Sequence, residues 1–166
     1  MNSPTSNAAF HPIRRDRLLQ EAVHDSYKSK GKLHEPTVCP DCGAVFHAGR
    51  WQWLERPADA HEELCPACHR QHDEFPAGYI HLTGDFLNEH EVEILNLVRH
   101  QETREKAEHP LKRIMNIERV PEGYHITTTD IHLARRIGEA IHHAYQGDLE
   151  FHYNPQQFLL RVNWQR

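Results

Sequence analysis

The chain has 166 residues, of which 38% are hydrophobic, and a formal net charge of −5. A globular chain usually has about 45–50% apolar residues when glycine is counted, so one large core is disfavoured and two modest modules are expected. The negative balance excludes polyanion binding over the whole surface. No apolar run approaches the ~18–20 residues of a membrane span, and the N-terminus lacks the apolar stretch of a secretory signal. We therefore expect a cytoplasmic protein with reduced cysteines and no membrane contact.

Residues 1–35 are predicted to form a basic, largely extended arm. Its polar sequence has little periodicity, and Gly31 and Pro36 favour extended or irregular backbone. The arm is either a solvated tail or a segment that orders on a polyanion such as ribosomal RNA. The cations that would contact phosphates in the second case are Arg14, Arg15, Arg17, Lys28, Lys30 and Lys32.

All four cysteines fall into two matched CxxC pairs with 22 residues between the pairs. Two residues between paired cysteines let both thiolates point at one ion, and two such pairs complete a tetrahedral zinc site. Gly43 supplies backbone freedom after the first pair, and the aromatic residues around a His-Ala-Gly segment predict a β-hairpin between the pairs. The sequence thus predicts a zinc ribbon over residues 36–80, with one closed, structural zinc site whose ligands are Cys39, Cys42, Cys65 and Cys68.

Three other interpretations of the cysteines are less favoured. A redox dithiol needs one CxxC beside a βαβ pattern, and a c-type haem attached to the Cys-His sequence at 68–69 needs export. The stretch LCPACHRQH also resembles the closing knuckle of HNH-type nucleases. That resemblance implies an Asp-His pair between the knuckles, whereas here His61 follows Ala60 and the other intervening histidine is His47.

Residues 81–110 are predicted to form a connecting helix. Asn88 with Glu91 three residues later is a capping-box pattern, and apolar residues recur at helical spacing after it. The predicted helix runs from about 89 to 108 and ends before Pro110. Its glutamate-rich face is interpreted as solvated.

Residues 111–166 are predicted to form a ββαββ unit, in which one helix covers one face of a four-stranded sheet in an α+β sandwich. Strands are expected over 112–120 and 124–130, and again over 149–154 and 158–164. Asp130 caps the helix between them. The open face of the sheet is expected to be polar and free of aromatic residues. Arg135 and Arg136 lie on the outer side of the helix, where they are either solvated or able to meet phosphates. No second metal cluster is predicted.

Two family resemblances follow from these motifs. A basic arm with YKS, then CPxCG, CPxC and a run of GDF, ILNLVR, EHP and RIM resemble a small bacterial family of zinc-ribbon proteins. More distantly, the chain resembles the N-terminal region of the archaeal and eukaryotic large-subunit ribosomal export adaptor, which has paired CxxC zinc sites before an α+β module. The residues that carry this second resemblance are Gly123, Thr127, Thr128, His132, Ala134 and Arg135. The resemblance implies association with the ribosome or with RNA.

The leading prediction is a non-enzymatic zinc-binding protein that associates with the ribosome or ribosomal RNA. In this interpretation Arg50 and Arg70 flank the knuckles and contact phosphates together with the basic arm. The alternative is a zinc-stapled protein–protein adaptor without RNA contact, which docks through the hairpin of Trp51 and Trp53 or through the acidic helix. A third prediction, a metal-dependent hydrolase, would need histidines that the sequence does not pair. No small-molecule substrate is evident.

Overall fold

The structure is a computed structural model that describes Tyr27 and residues 31–166. Most of the predicted basic arm therefore lies outside the described residues. The predicted contacts that lie there are Arg14, Arg15, Arg17, Lys28 and Lys30. Lys32 is described and exposed.

The first sheet carries the cysteine-bearing segment. Its short strands are β1 (Thr37–Val38), β2 (Val45–His47), β3 (Arg50–Gln52) and β4 (His61–Glu62), in the order β3-β2-β1-β4. β2 and β3 pair antiparallel, where the sequence predicts a hairpin, with Gly49 at positive φ in the turn. Helix α1 (Pro66–His72) follows β4. We refer to residues 37–72 as the cysteine module.

The second sheet forms the larger α+β domain. Its strands are β5 (Gly78–Thr83), β6 (Ile114–Val120), β7 (Gly123–Thr128), β8 (Asp148–Asn154) and β9 (Leu159–Gln165). The order is β6-β7-β5-β9-β8. β5 pairs antiparallel with β7 and parallel with β9. It therefore joins the two hairpins that the sequence predicts into one sheet.

The prediction of a four-stranded ββαββ unit is wrong in this respect, because β5 is a fifth, central strand. The predicted boundary between residues 80 and 81 cuts through β5. Ile80 and Leu82 are buried and alternate with half-buried residues, which is the period-two pattern of a strand packed on one face. Only six residues carry this pattern, and their strand partners lie at least 40 positions away in sequence. β5 also brings Tyr79 to the open face, which the sequence predicts to lack aromatic residues.

Three helices belong to the α+β domain as the structure describes it. They are α2 (Asp85–Glu89), α3 (Glu91–Glu108) and α4 (Ile131–Tyr145). The predicted capping box at Asn88 is wrong: Asn88 lies inside α2, and α3 begins after His90 without a side-chain cap. The cap at Asp130 is confirmed, since its carboxylate accepts a hydrogen bond of 2.9 Å from the backbone N–H of Leu133.

The apolar core lies between the sheet and the helices. Ile137 and other fully buried residues of α4 share one core cluster with Ile126 and Leu160 of the sheet and with Ile94 and Leu95 of α3. Among the described residues, no helix combines the length and the apolar character needed to cross a lipid bilayer.

Gly78 marks a close approach between β5 and α4 that leads to a prediction. A Cβ atom there would lie 2.2 Å from Oγ1 of Thr128 and 2.6 Å from Cβ of Ala134. Gly78→Ala should therefore lower the free energy of unfolding by about 1–3 kcal/mol, as measured by urea denaturation. Gly31→Ala is the control, because a Cβ at Gly31 has no atom within 4 Å. It should be neutral or stabilising by up to about 1 kcal/mol. Equal midpoints for the two variants would contradict the packing.

Candidate metal centre

The four cysteine sulfurs converge at one point of the cysteine module. Sγ atoms of Cys39, Cys42, Cys65 and Cys68 all lie within 4.8 Å of one another. Three of these residues are buried, and Cys42 is partly buried. All four are free thiols, so the structure brings together the complete set of metal ligands that the sequence predicts.

Each CxxC pair is shaped by its own local backbone. In the first pair, the N–H of Gly43 donates to the carbonyl of Cys39 at 2.9 Å, and Gly43 has a φ of 80°. This tight turn lets the N–H of Ala44 donate to Sγ of Cys42 at 3.5 Å. In the second pair, Cys65 is the N-cap of α1 and accepts from the N–H of Cys68 at 3.4 Å. In each pair, therefore, a backbone N–H donates to one sulfur and orients it.

The side chain of Arg113 reaches the cluster from the α+β domain. Its Nη1 donates to Sγ of Cys68 at 3.2 Å and its Nη2 to Sγ of Cys65 at 3.6 Å. The third donor, Nε, is bonded to the carbonyl of Pro110 at 2.8 Å. Arg113 is only 5% exposed. Thr129 fixes its backbone, since the N–H of Arg113 donates to Oγ1 of Thr129 at 3.0 Å.

Hydrogen bonding and burial set the protonation of the thiols. The contact between Cys42 and Cys65, whose sulfurs are 3.8 Å apart, lowers the pKa of Cys42 to about 4 and raises that of Cys65. Burial raises the pKa of Cys68 to about 11 in spite of its hydrogen bond from Arg113. Burial opposes the charge of Arg113, but its hydrogen bond to Cys68 and its attraction to the neighbouring cysteine sulfurs outweigh burial and raise the pKa of the guanidinium. A permanent cation therefore lies beside the sulfurs.

The geometry of the cluster fits one tetrahedral metal ion. A tetrahedron with Zn–S bonds near ~2.3 Å has edges of about 3.8 Å, and Cys42 and Cys65 are 3.8 Å apart. Four thiolates around a divalent ion carry a net charge of −2, which Arg113 partly neutralises in a buried position where an unpaired charge is costly. The residues present therefore fit a four-thiolate metal centre.

The other arginines predicted to contact phosphates differ in their exposure and in their ion pairs. Arg50 is exposed on β3. Arg135 and Arg136 of α4 pair with Glu139 and Glu105, at 3.0 Å and 3.3 Å.

The prediction that Arg70 presents its charge to a partner needs correction. Arg70 is 2% exposed: its Nη1 donates to the carbonyl of Phe75 at 2.9 Å, and its guanidinium lies 4.4 Å from the ring centre of Tyr27. The sequence interpretation took it for a surface cation because it follows a metal ligand by two positions. On α1, however, Arg70 belongs with Ala67 and Cys68 to the buried residues of the helix.

A cleft of about 810 Å³ lies between the cysteine module and the α+β domain. Its wall includes aromatic and cationic side chains next to the metal ligands. The residues of these two types are Tyr27, Phe46, Trp51, Lys32, Arg50 and Lys112. Trp51 also packs against the cysteine cluster, so the metal centre supports one wall of the cleft.

A second group of potential ligands was missed by the sequence analysis, which predicted none. His81, Glu122 and His125 offer ligand atoms within 4.8 Å of one another on the open face of the second sheet. Burial lowers the pKa of His81, and the nearby His125 acts in the same direction while Glu122 opposes it. These residues lie on separate strands and a turn, so only the strand register brings them together.

Comparisons of the chain with models of protein families, with curated proteins and with solved structures found no match. The resemblances to the bacterial zinc-ribbon family and to the ribosomal export adaptor stay predictions. On the evidence of its site, the chain is a protein with a four-cysteine cluster that could hold one metal ion.

The contacts of Arg113 lead to a second prediction. Arg113→Ala removes the donors to two sulfurs, and loss of such outer-shell partners costs about 10–100-fold in metal affinity. We expect this loss for Zn²⁺, measured by competition with a chromophoric chelator at a zinc concentration where the far-UV circular dichroism of the variant matches the wild type. The matched control is Arg99→Ala, an exposed cation of α3. Unchanged affinity in Arg113→Ala would show that the guanidinium does not support the site.

Proposed function

We propose that this is a non-enzymatic zinc-binding protein in which one zinc ion fixes the cysteine module onto the α+β domain. The observation that carries the proposal is the convergence of four sulfurs with the buried guanidinium of Arg113 from the other domain. Four thiolates complete a tetrahedral coordination sphere, so no position is left for a substrate. The role of the ion in this centre is structural.

We further propose that the assembled cleft binds a single-stranded segment of RNA, as found in ribosomal RNA. Phe46 and Trp51 of the cleft wall offer ring surfaces on which bases can stack, and stacking contributes about 1–3 kcal/mol per base with little dependence on sequence. Lys32 and Arg50 are exposed at the same cleft and can meet phosphates. Because the chain has a net charge of −5, we expect RNA to bind only at this cleft, where cations and aromatic rings lie together.

Docking of a protein is the second candidate, and two exposed apolar side chains favour it. Leu54, within the cysteine module, is 45% exposed, and Phe75, three residues after the module, is 50% exposed. Trp53 contributes less than the sequence suggests, because its Nε1 donates to the carbonyl of Lys106 at 2.7 Å and holds the module against α3. Binding to a protein through apolar contacts would be insensitive to salt.

Metal removal tests the structural role of the ion. Structural zinc contributes an apparent ~10–16 kcal/mol to the folding of small modules, so a chelator should unfold the cysteine module and change the near-UV circular dichroism of Trp51. The buried Trp164 of the second sheet should keep its signal. A variant with Trp51→Phe and Trp53→Phe, which retains only Trp164, is the control and should show little change. A wild-type near-UV spectrum that survives complete zinc removal would refute the structural role.

Salt dependence tests the RNA proposal. Binding of a single-stranded oligoribonucleotide of about 12 nucleotides should weaken as salt rises, with a slope of about −0.7 per phosphate contact. Combining Lys32→Ala with Arg50→Ala should make the slope shallower by about 1.4, whereas Arg99→Ala should leave it unchanged. Fluorescence anisotropy at several salt concentrations measures the slope for the wild type and for each variant. Absence of binding at ~50 mM salt would refute the RNA proposal and leave the zinc proposal untouched.

A further inference from the structure

The open face of the second sheet carries a pair of histidines at its centre. His81 of β5 and His125 of β7 are direct cross-strand partners, and their ring centroids are 4.4 Å apart with the planes at 79°. Directly opposite residues on one face of an antiparallel pair have Cβ atoms about 4.5–5.5 Å apart. The backbone ladder therefore holds two imidazoles side by side without help from any ligand.

Glu122 adds a carboxylate to this pair. It lies in the turn between β6 and β7, and its Oε1 is 3.5 Å from Nε2 of His81. That distance is within ion-pair range, but the contact is not a hydrogen bond. Nε2 of His81 is inaccessible to solvent and has no hydrogen-bond partner among the described residues. A buried ring nitrogen without a partner is unusual, because such atoms are normally satisfied.

A cavity of about 360 Å³ opens over these three residues, and the sheet supplies its walls. Asn163 lies beside His81 on the neighbouring strand β9, while Glu118 lies beside His125 on β6. Arg161 also borders the cavity, but its guanidinium is held 4.8 Å from the ring centre of Tyr79. Arg161 is thus held on the face of Tyr79 by a cation–π contact. Its positive charge would favour an anionic group that enters the cavity.

We propose that His81, His125 and Glu122 bind a second divalent transition metal ion, zinc in the first place, at a site separate from the cysteine centre. Two imidazoles and one carboxylate are the ligand set of several catalytic zinc sites, which keep a fourth position open for water or another ligand. Nε2 of His81, which has no hydrogen-bond partner among the described residues, becomes a ligand in this arrangement. The site lies on the other sheet and does not depend on the role assigned to the cysteines.

A titration of the full-length protein tests the second site. The protein is first brought to one zinc per chain by dialysis. Further ZnCl₂ is then titrated into it in an isothermal titration calorimeter, and the bound zinc is quantified by elemental mass spectrometry. The wild type should bind one further zinc. His125→Ala should abolish this event, and Glu122→Gln should weaken it at least about tenfold, the lower range for partners that support a metal. Both residues are exposed, so the variants should remain folded, which dispersed amide resonances will verify.

His100→Ala is the matched control, because His100 is an exposed histidine on α3, away from the open face of the sheet. The chain has 16 histidines, and scattered binding to them must be separated from a built site. The proposal predicts that His100→Ala keeps the second zinc. It is overturned if the wild type takes up no zinc beyond the first, if His125→Ala and Glu122→Gln bind as the wild type does, or if His100→Ala loses the event equally.

Discussion

The hydrogen bonds between Arg113 and two cysteine sulfurs are the interaction on which the arrangement of the two domains depends. Cysteine sulfurs from the module and the guanidinium of Arg113, the residue before β6, meet in a region that solvent hardly reaches. Neither charge is tolerated there alone, since removing one partner of a buried pair leaves an uncompensated charge that costs about 3–5 kcal/mol. We therefore expect the proposed zinc binding, the burial of Arg113 and the docking of the module to be coupled, because each compensates a charge that the others bury.

The cysteine centre could be predicted from the sequence because its geometry is local. Cys39 and Cys42 are separated by a single turn, and Cys65 and Cys68 by the first turn of α1, so spacing alone reports how each pair of sulfurs points. The same holds for the cap at Asp130. Arg113 could not be predicted, because a lysine-arginine sequence before a strand looks the same whether it faces solvent or a buried thiolate.

The histidine site and the central strand were missed for one shared reason. β5 is short, and its pairing with β7 and β9 depends on contacts between distant parts of the chain. Without β5 the sheet has no centre, and His81 has no cross-strand partner in His125. Sequence patterns report which residues of a strand face inward, but not which strand lies beside it. A site whose ligands come from register is therefore hidden until the topology is known, whereas a site built on loops is visible at once.

The two proposed metal centres would have different roles. The cysteine centre would stabilise the fold, and the histidine site would bind an ion reversibly. Around the cysteines, the proposed metal would supply order that short strands alone do not provide. The small core of the module consists largely of the cysteines and a few apolar neighbours, and such small domains usually need a metal or disulfides. Around His81, the order comes first, since a five-stranded ladder and the apolar core beneath it already fix the imidazoles. An ion at the proposed histidine site could therefore bind, carry an additional ligand and dissociate without unfolding the sheet. The cysteine module has little stability of its own, so its proposed site is closed and structural. The sheet is rigid without a metal, so its proposed site can remain open.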